Sequence, residues 1–391
     1  MSVPLTILGT GMAGLGLARQ LRARDPQRPI TLISADSGDD YSKPLLSTGF
    51  AKRLPSARLA SRTALEVADQ LGVVVRTHTC VDAIDAAAGE LAIGAERLAY
   101  GELVIATGAA PQPPFMIPES LRDRVFTIND LDDYRAFSAA LDRRHRQAPR
   151  HRARIAIVGA GLVGCEFAND LVAGGHQVAL IAPESAPLAR LLPEPLGRVL
   201  GEALAGSGVD LHLGRSLDSL NIEGGDIELT LDDGHALGAD LVLIATGLVP
   251  RSALAHRAGL ETSAAGIHTD RYLATSAPGI YALGDVACVA GINAMYVQPL
   301  QASAKALAAT LAGTPTAVSY GPWPVLVKTP ACPVVALPPR TVPARWRIEG
   351  EGPDLAALAE DEEGRLLGFA LTGACVRRKV ELARAAPALL V

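Results

Sequence analysis

The sequence predicts an α/β fold. One signature of strand, glycine loop and helix occurs twice, each copy is matched by a later strand ending in Thr-Gly, and the pattern changes after Val318. Two Rossmann-like dinucleotide-binding domains of the three-layer ββα type, plus a small C-terminal α+β domain, account for all three observations. The chain has 391 residues, 49% of them hydrophobic, which is enough material for two or three cores.

In the first copy the strand Leu5-Thr6-Ile7-Leu8 leads into Gly9-Thr10-Gly11-Met12-Ala13-Gly14 and a helix with apolar positions Leu15, Leu17, Ala18 and Leu21. In the second, Ile155-Ala156-Ile157-Val158 leads into Gly159-Ala160-Gly161-Leu162-Val163-Gly164 and a helix through Leu171. The chemistry needs glycine at each of these places. The first permits a tight turn, the next lets backbone approach a pyrophosphate, and the last lets helix and strand pack closely. The phosphate then meets free N–H groups at the positive end of the helix.

A second strand is expected at residues 29–33 and at 177–181, with a ribose-binding acid at its end. Ser34 occupies the first such place with Asp36 just beyond, and Ala182 the second with Glu184 just beyond, so both carboxylates are offset. No arginine stands directly at the end of the second of these strands to meet a 2'-phosphate, which favours NADH over NADPH. The strands Leu103-Val104-Ile105-Ala106-Thr107-Gly108 and Leu241-Val242-Leu243-Ile244-Ala245-Thr246-Gly247 each end at a Thr-Gly turn, so the second unit reads as a compact insertion in the first.

Residues 143–154, with six arginines around Pro149, read as a solvated linker. After Val318 come short extended stretches and then a helix-like tail over residues 376–390. The net charge of -5 argues against nucleic acid as a partner. No uncharged apolar run approaches the roughly 20 residues that cross a bilayer, and the first residues lack a signal-peptide pattern, so a cytoplasmic protein without a membrane partner is expected. The five cysteines, Cys80, Cys165, Cys288, Cys332 and Cys375, form no C-x-x-C pair and read as small buried hydrophobes, with no metal site implied.

The paired glycine loops, both Ala-Thr-Gly turns and Tyr281-Ala282-Leu283-Gly284-Asp285 together resemble the FAD-dependent pyridine nucleotide-disulfide oxidoreductase superfamily over essentially the whole chain. The resemblance implies an FAD-binding domain at 1–112 and 249–316, an NAD-binding domain at 113–248 and a C-terminal α+β domain at 317–391. It places Gly9, Gly11, Met12, Ala13, Gly14, Ser34, Asp36, Val81, Thr107, Gly108, Gly284 and Asp285 around FAD. It places Gly159, Gly161, Leu162, Val163, Gly164, Glu184 and Gly247 around NAD. Relatives with a redox thiol carry it in a Phe-Leu-Ser-Cys-Gly-like stretch; here Pro44-Leu45-Leu46-Ser47-Thr48-Gly49 puts Thr48 at that place, and an alcohol cannot cycle through a disulfide or sulfenic acid.

Electrons are therefore expected to leave directly from the flavin, and the remaining motifs are most similar to the NADH:rubredoxin reductases of the superfamily. Only five of the 36 basic residues are lysines. The resemblance implies that Lys43 is a compact charge beside the flavin, paired with Glu166 on the helix after the NAD loop. It also implies that Val297 contacts the pyrimidine end of the flavin at a helix start, and that Lys328 reaches the cofactor from the C-terminal domain. The expected partners are NADH and rubredoxin or a similar one-electron carrier, docked on a basic rim for which Lys52, Arg53, Arg58, Arg340 and Arg345 are candidates. A ferredoxin or flavorubredoxin reductase is the alternative enzyme, and a flavin-based NADH sensor the alternative class.

Overall fold

A computed structural model describes residues 3–148, 151–223 and 225–391. Two five-stranded parallel sheets repeat the same order. The first runs Ile280–Ala282, Glu102–Ile105, Leu5–Leu8, Ile30–Ile33, Val74–Arg76, and the second runs Val125–Thr127, Leu241–Ile244, Arg154–Val158, Gln177–Ala182, Val209–Leu213. The inner strands Leu5–Leu8 of the first sheet and Leu241–Ile244 of the second are buried at every residue, as unbroken apolar runs in a sheet covered on both faces should be. Each unit carries a three-stranded antiparallel meander, Ala83–Asp85 to Glu96–Ala99 in the first and Leu217–Glu223 to Ala236–Ala239 in the second, which completes the ββα layering.

The strand Ile280–Ala282 joins the first sheet from far along the chain, beside Glu102–Ile105. After the two Thr-Gly turns, Ala109–Pro111 and Leu248–Pro250 pair antiparallel as crossover strands between the units. The C-terminal sheet is antiparallel, in the order Val325–Val327, Val334–Leu337, Leu366–Thr372, Asp354–Glu360, Arg345–Glu351.

Three expectations change. Residues 143–147 are not linker: a helix runs Leu131–Gln147, burying Leu131, Tyr134, Phe137, Ala140 and Leu141, and its last turn holds Arg144 and Arg146 where the helix dipole favours cations. Arg144 and Arg154 both meet Asp240, so two of the six arginines tie helix to sheet; Pro149 and Arg150 lie outside the described residues. The C-terminal tail is shorter than its pattern suggested, a 3-10 turn Gly373–Arg378 and a helix Lys379–Ala385 that stops before Pro387. Finally, Cys80 is exposed and Cys375 half-buried, so only Cys165, Cys288 and Cys332 are the buried hydrophobes expected of all five.

Candidate functional site

The two glycine loops have the same geometry. Gly9 and Gly159 turn with φ of 115° and 112°, a region that L side chains rarely adopt. A Cβ on Gly14 would sit inside the carbonyl oxygen of Gly9, and one on Gly164 inside that of Gly159, so these positions close the helix onto the strand. A Cβ on Gly11 or Gly161 would meet nothing within 4 Å. Those two glycines cap the helices Met12–Arg22 and Leu162–Ala173, neither of which has a side-chain cap or an acid in its first turn. Their first N–H groups therefore face open space at the positive end of a helix, and the residues fit two dinucleotides. Met12, Ala13, Leu162 and Val163 supply the first-turn amides.

At the end of Ile30–Ile33, Thr10 Oγ1 donates to Ser34 Oγ at 2.8 Å, and Ser34 in turn donates to Asp36, whose Oδ1 also accepts from Gly38 N at 2.9 Å. The offset Asp36 is thus bound back to the loop. Glu184 is exposed, two residues past the strand Gln177–Ala182. Gly108 and Gly247, at φ of 69° and 120°, also face open space. Val81 is half-buried against the first core. Thr107 Oγ1 donates to Arg251 O at 3.3 Å. Gly284, at φ 80°, starts a 3-10 turn Gly284–Val286 packed so closely on the first nucleotide helix that a Cβ there would strike Ala13. Val297 is the first residue of the helix Val297–Leu311, again without a side-chain cap or first-turn acid.

The largest correction concerns the charges. Lys43 does not pair with Glu166: its ammonium donates to Asn129 Oδ1 at 2.7 Å, while Glu166 binds Lys328 through both the side-chain ammonium and, at 2.8 Å, the backbone N–H. Ser47 Oγ also donates to Glu166, at 2.7 Å. Lys43 and Ser47 share the segment Lys43–Thr48, which is kinked at Ser47, and the fold sets Ser47 against Glu166 while Lys43 meets Asn129. Burial pushes the Lys43 ammonium below the usual lysine range, the charge of Asp285 opposes that fall, and Arg251 adds to it. Burial likewise raises the Asp285 carboxyl, and Lys43 draws it back.

Sequence reasoning missed Ser47, Asn129, Asn169 and Asp170. Asp170 accepts from the backbone N–H groups of Phe50 and Ala51 at 2.9 and 3.0 Å, and Asn169 Oδ1 accepts from Ala331 N at 3.1 Å. With Glu166 they make one polar face on an otherwise buried helix, tying it to the 43–51 segment and to the C-terminal domain. The available signal was three polar residues inside Gly164-Cys165-Glu166-Phe167-Ala168-Asn169-Asp170, since polar side chains in a buried helix must find partners.

The docking candidates divide. Lys52, Arg53 and Arg58 are exposed just beyond the Lys43–Thr48 helix. Arg345 stands opposite Glu360 on the paired strand and bonds it at 2.7 Å, and Arg340 donates to Leu389 O at 2.9 Å, so these two are engaged within their own domain.

Thr48 donates its hydroxyl to Leu45 O at 3.0 Å. Burial, helped by the charge of Glu166, pushes the Cys165 thiol up to about 12, and burial also raises Cys288 and Cys332. Iodoacetamide is therefore expected to label Cys80 and leave NADH oxidation unchanged; inactivation that tracks modification of a buried cysteine is the contrary result.

The profile of the pyridine nucleotide-disulphide oxidoreductase family matches residues 3–312, and that of the rubredoxin binding C-terminal domain matches residues 317–386. The chain is 43% identical to a rubredoxin-NAD(+) reductase of Alcanivorax borkumensis, over 99% of both chains. It is 38% identical to a rubredoxin-NAD(+) reductase of Acinetobacter baylyi, over 99% of this chain and 98% of that one. Among solved structures it resembles the covalent putidaredoxin reductase–putidaredoxin complex with a TM-score of 0.87 and 22% identity, over 98% of this chain and 93% of that one.

Proposed function

Because the chain belongs to the pyridine nucleotide-disulphide oxidoreductase family, we propose that it oxidises NADH and delivers the electrons, through FAD, singly to rubredoxin. One combination carries this reading: two glycine cradles, a 43–51 segment bonded to the helix that follows the second of them, a threonine where a thiol relay would stand, and a C-terminal domain that matches the rubredoxin binding profile. Bound FAD would supply the conversion of a two-electron hydride into single-electron release.

The chain's own residues bind and orient. Gly9, Gly11 and Gly14, with the Met12 and Ala13 amides, would hold the FAD pyrophosphate; Ser34, Asp36 and Val81 would hold its adenosine end, and Thr107, Gly108, Gly284, Asp285 and Val297 the rest. Gly159, Gly161, Leu162, Val163, Gly164, Glu184 and Gly247 would hold NADH. Lys43, and the helix dipole at Val297, favour negative charge beside the ring. Glu166, fixed by Ser47 and Lys328, orients the nicotinamide side of the site. The same reading divides the chain at 1–112, 113–248, 249–316 and 317–391. It also implies a cytoplasmic location, where NADH is; among the described residues no helix is long and apolar enough to cross a membrane.

Anaerobic titration of the FAD-loaded protein with NADH should bleach its visible spectrum, and added rubredoxin should restore it with two rubredoxins reduced per NADH. A protein that bleaches and does not pass its electrons on, or that prefers ferredoxin, overturns the reading. Rubredoxins are usually acidic, so replacing Lys52, Arg53 and Arg58 together by glutamate should slow rubredoxin reduction at low salt and leave reduction of a small dye unchanged. Equal effects on both acceptors would reject that docking face.

A further inference from the structure

We propose that Asn129 is the positioning residue for Lys43, holding its ammonium where it can stabilise negative charge on the reacting cofactor. This rests on the proposed role of Lys43 beside the flavin. Asn129 follows the edge strand Val125–Thr127 of the second sheet, whereas Lys43 belongs to the first unit, 86 positions earlier. The amide is 4% exposed. Its Nδ2 donates to Ala109 O on the crossover strand at 3.0 Å, which leaves Oδ1 as the atom that faces Lys43, and among the described residues Asn129 is the one side chain hydrogen-bonded to that ammonium. Asn129 is itself held: its backbone N–H donates to Asp133 Oδ2 at 2.9 Å, and Asp133 N donates to Asp130 Oδ1 at 2.9 Å at the start of the helix Leu131–Gln147.

An amide suits the task better than a carboxylate. A four-carbon stem is floppy, so an ammonium that must sit in one place needs an anchor. A carboxylate anchor would neutralise the charge it holds, whereas an amide oxygen accepts the hydrogen bond and leaves the positive charge available to a ligand. The acids near Lys43 are otherwise disposed: Asp130 and Asp133 bond backbone N–H groups at the helix start, and Asp285, the acid with the largest effect on Lys43, lies in the turn Gly284–Val286 that follows the first sheet's edge strand Ile280–Ala282. Arg251 is the opposing cation.

The test uses the FAD-loaded protein with lysine labelled by carbon-13 at Cε. Five lysines give five signals, and the Lys43 signal is the one missing in Lys43→Arg. In Asn129→Leu its titration should move down by about one pH unit and NADH-driven flavin reduction should slow about tenfold, the size expected for one lost hydrogen bond to a charged group. The flavin potential should become more negative. In Asn129→Asp, which adds charge at the acceptor, the titration should move up instead. Asn129→Ser carries the same expectation as the leucine variant if that one does not fold. An unmoved Lys43 titration, or movement in the same direction in the leucine and aspartate variants, overturns the proposal. Failure of the unsubstituted protein to reduce rubredoxin would instead overturn the functional reading, and the Lys43 titration does not depend on that outcome.

Discussion

Gly161→Glu is expected to abolish NADH oxidation while the protein stays folded and keeps its flavin. Gly161 has ordinary extended backbone, φ -75° and ψ -172°, and a Cβ there meets nothing within 4 Å, so the fold tolerates a side chain. The ligand does not. A carboxylate at this point would occupy the space before the first N–H groups of the helix Leu162–Ala173 and repel a pyrophosphate from the positive helix end. Losing those charge-assisted bonds should weaken NADH binding roughly a thousandfold, about 4 kcal/mol. Stopped-flow reduction by NADH, beside reduction by dithionite, checks it; an apparent NADH affinity within tenfold of the parent would sink the assignment of this loop. Gly164→Ala should behave differently, because its Cβ would collide with the carbonyl of Gly159 and loosen the module itself.

Glu166→Ala should destabilise the protein by about 3 kcal/mol, the lower end of the 3–5 kcal/mol range for removing one partner of a buried ion pair. Glu166 is 2% exposed and accepts from Ser47, the Lys328 side chain and the Lys328 backbone. The Lys328 side chain is 33% exposed, so the orphaned ammonium can find water and the loss stays near that lower end. Rubredoxin reduction should suffer as well, since among the described residues the hydrogen bond left from this helix to the C-terminal domain is Asn169 with Ala331. Chemical unfolding of Glu166→Ala, Lys328→Met and the double variant gives the coupling between the two residues. A single-variant loss below about 1 kcal/mol would mean that the cluster does not hold the three parts together.

Much of this was legible from residues alone. The glycine loops reveal themselves because their demands are local: a positive φ at Gly9 and Gly159, and a missing Cβ at Gly14 and Gly164, are satisfied within six positions of chain. Asn129, by contrast, stands just before Asp130, the cap of the helix Leu131–Gln147, and no local pattern ties it to Lys43. Within residues 143–154 the linker reading fails over 143–147 for a related reason: charge density suggests a linker there, while the apolar period through Leu141 continues the helix beneath it.

The sequence by itself determined that two dinucleotides have places to bind and that Thr48 cannot relay electrons through sulfur, because backbone conformation and side-chain chemistry reside in the residue. Only the tertiary structure decided that Glu166 takes Lys328, 162 positions away, and that Lys43 takes Asn129, 86 positions away. Charge pairs across such separations depend on which sheet edges and helix faces the fold brings within about 3 Å, and no local rule of spacing records that.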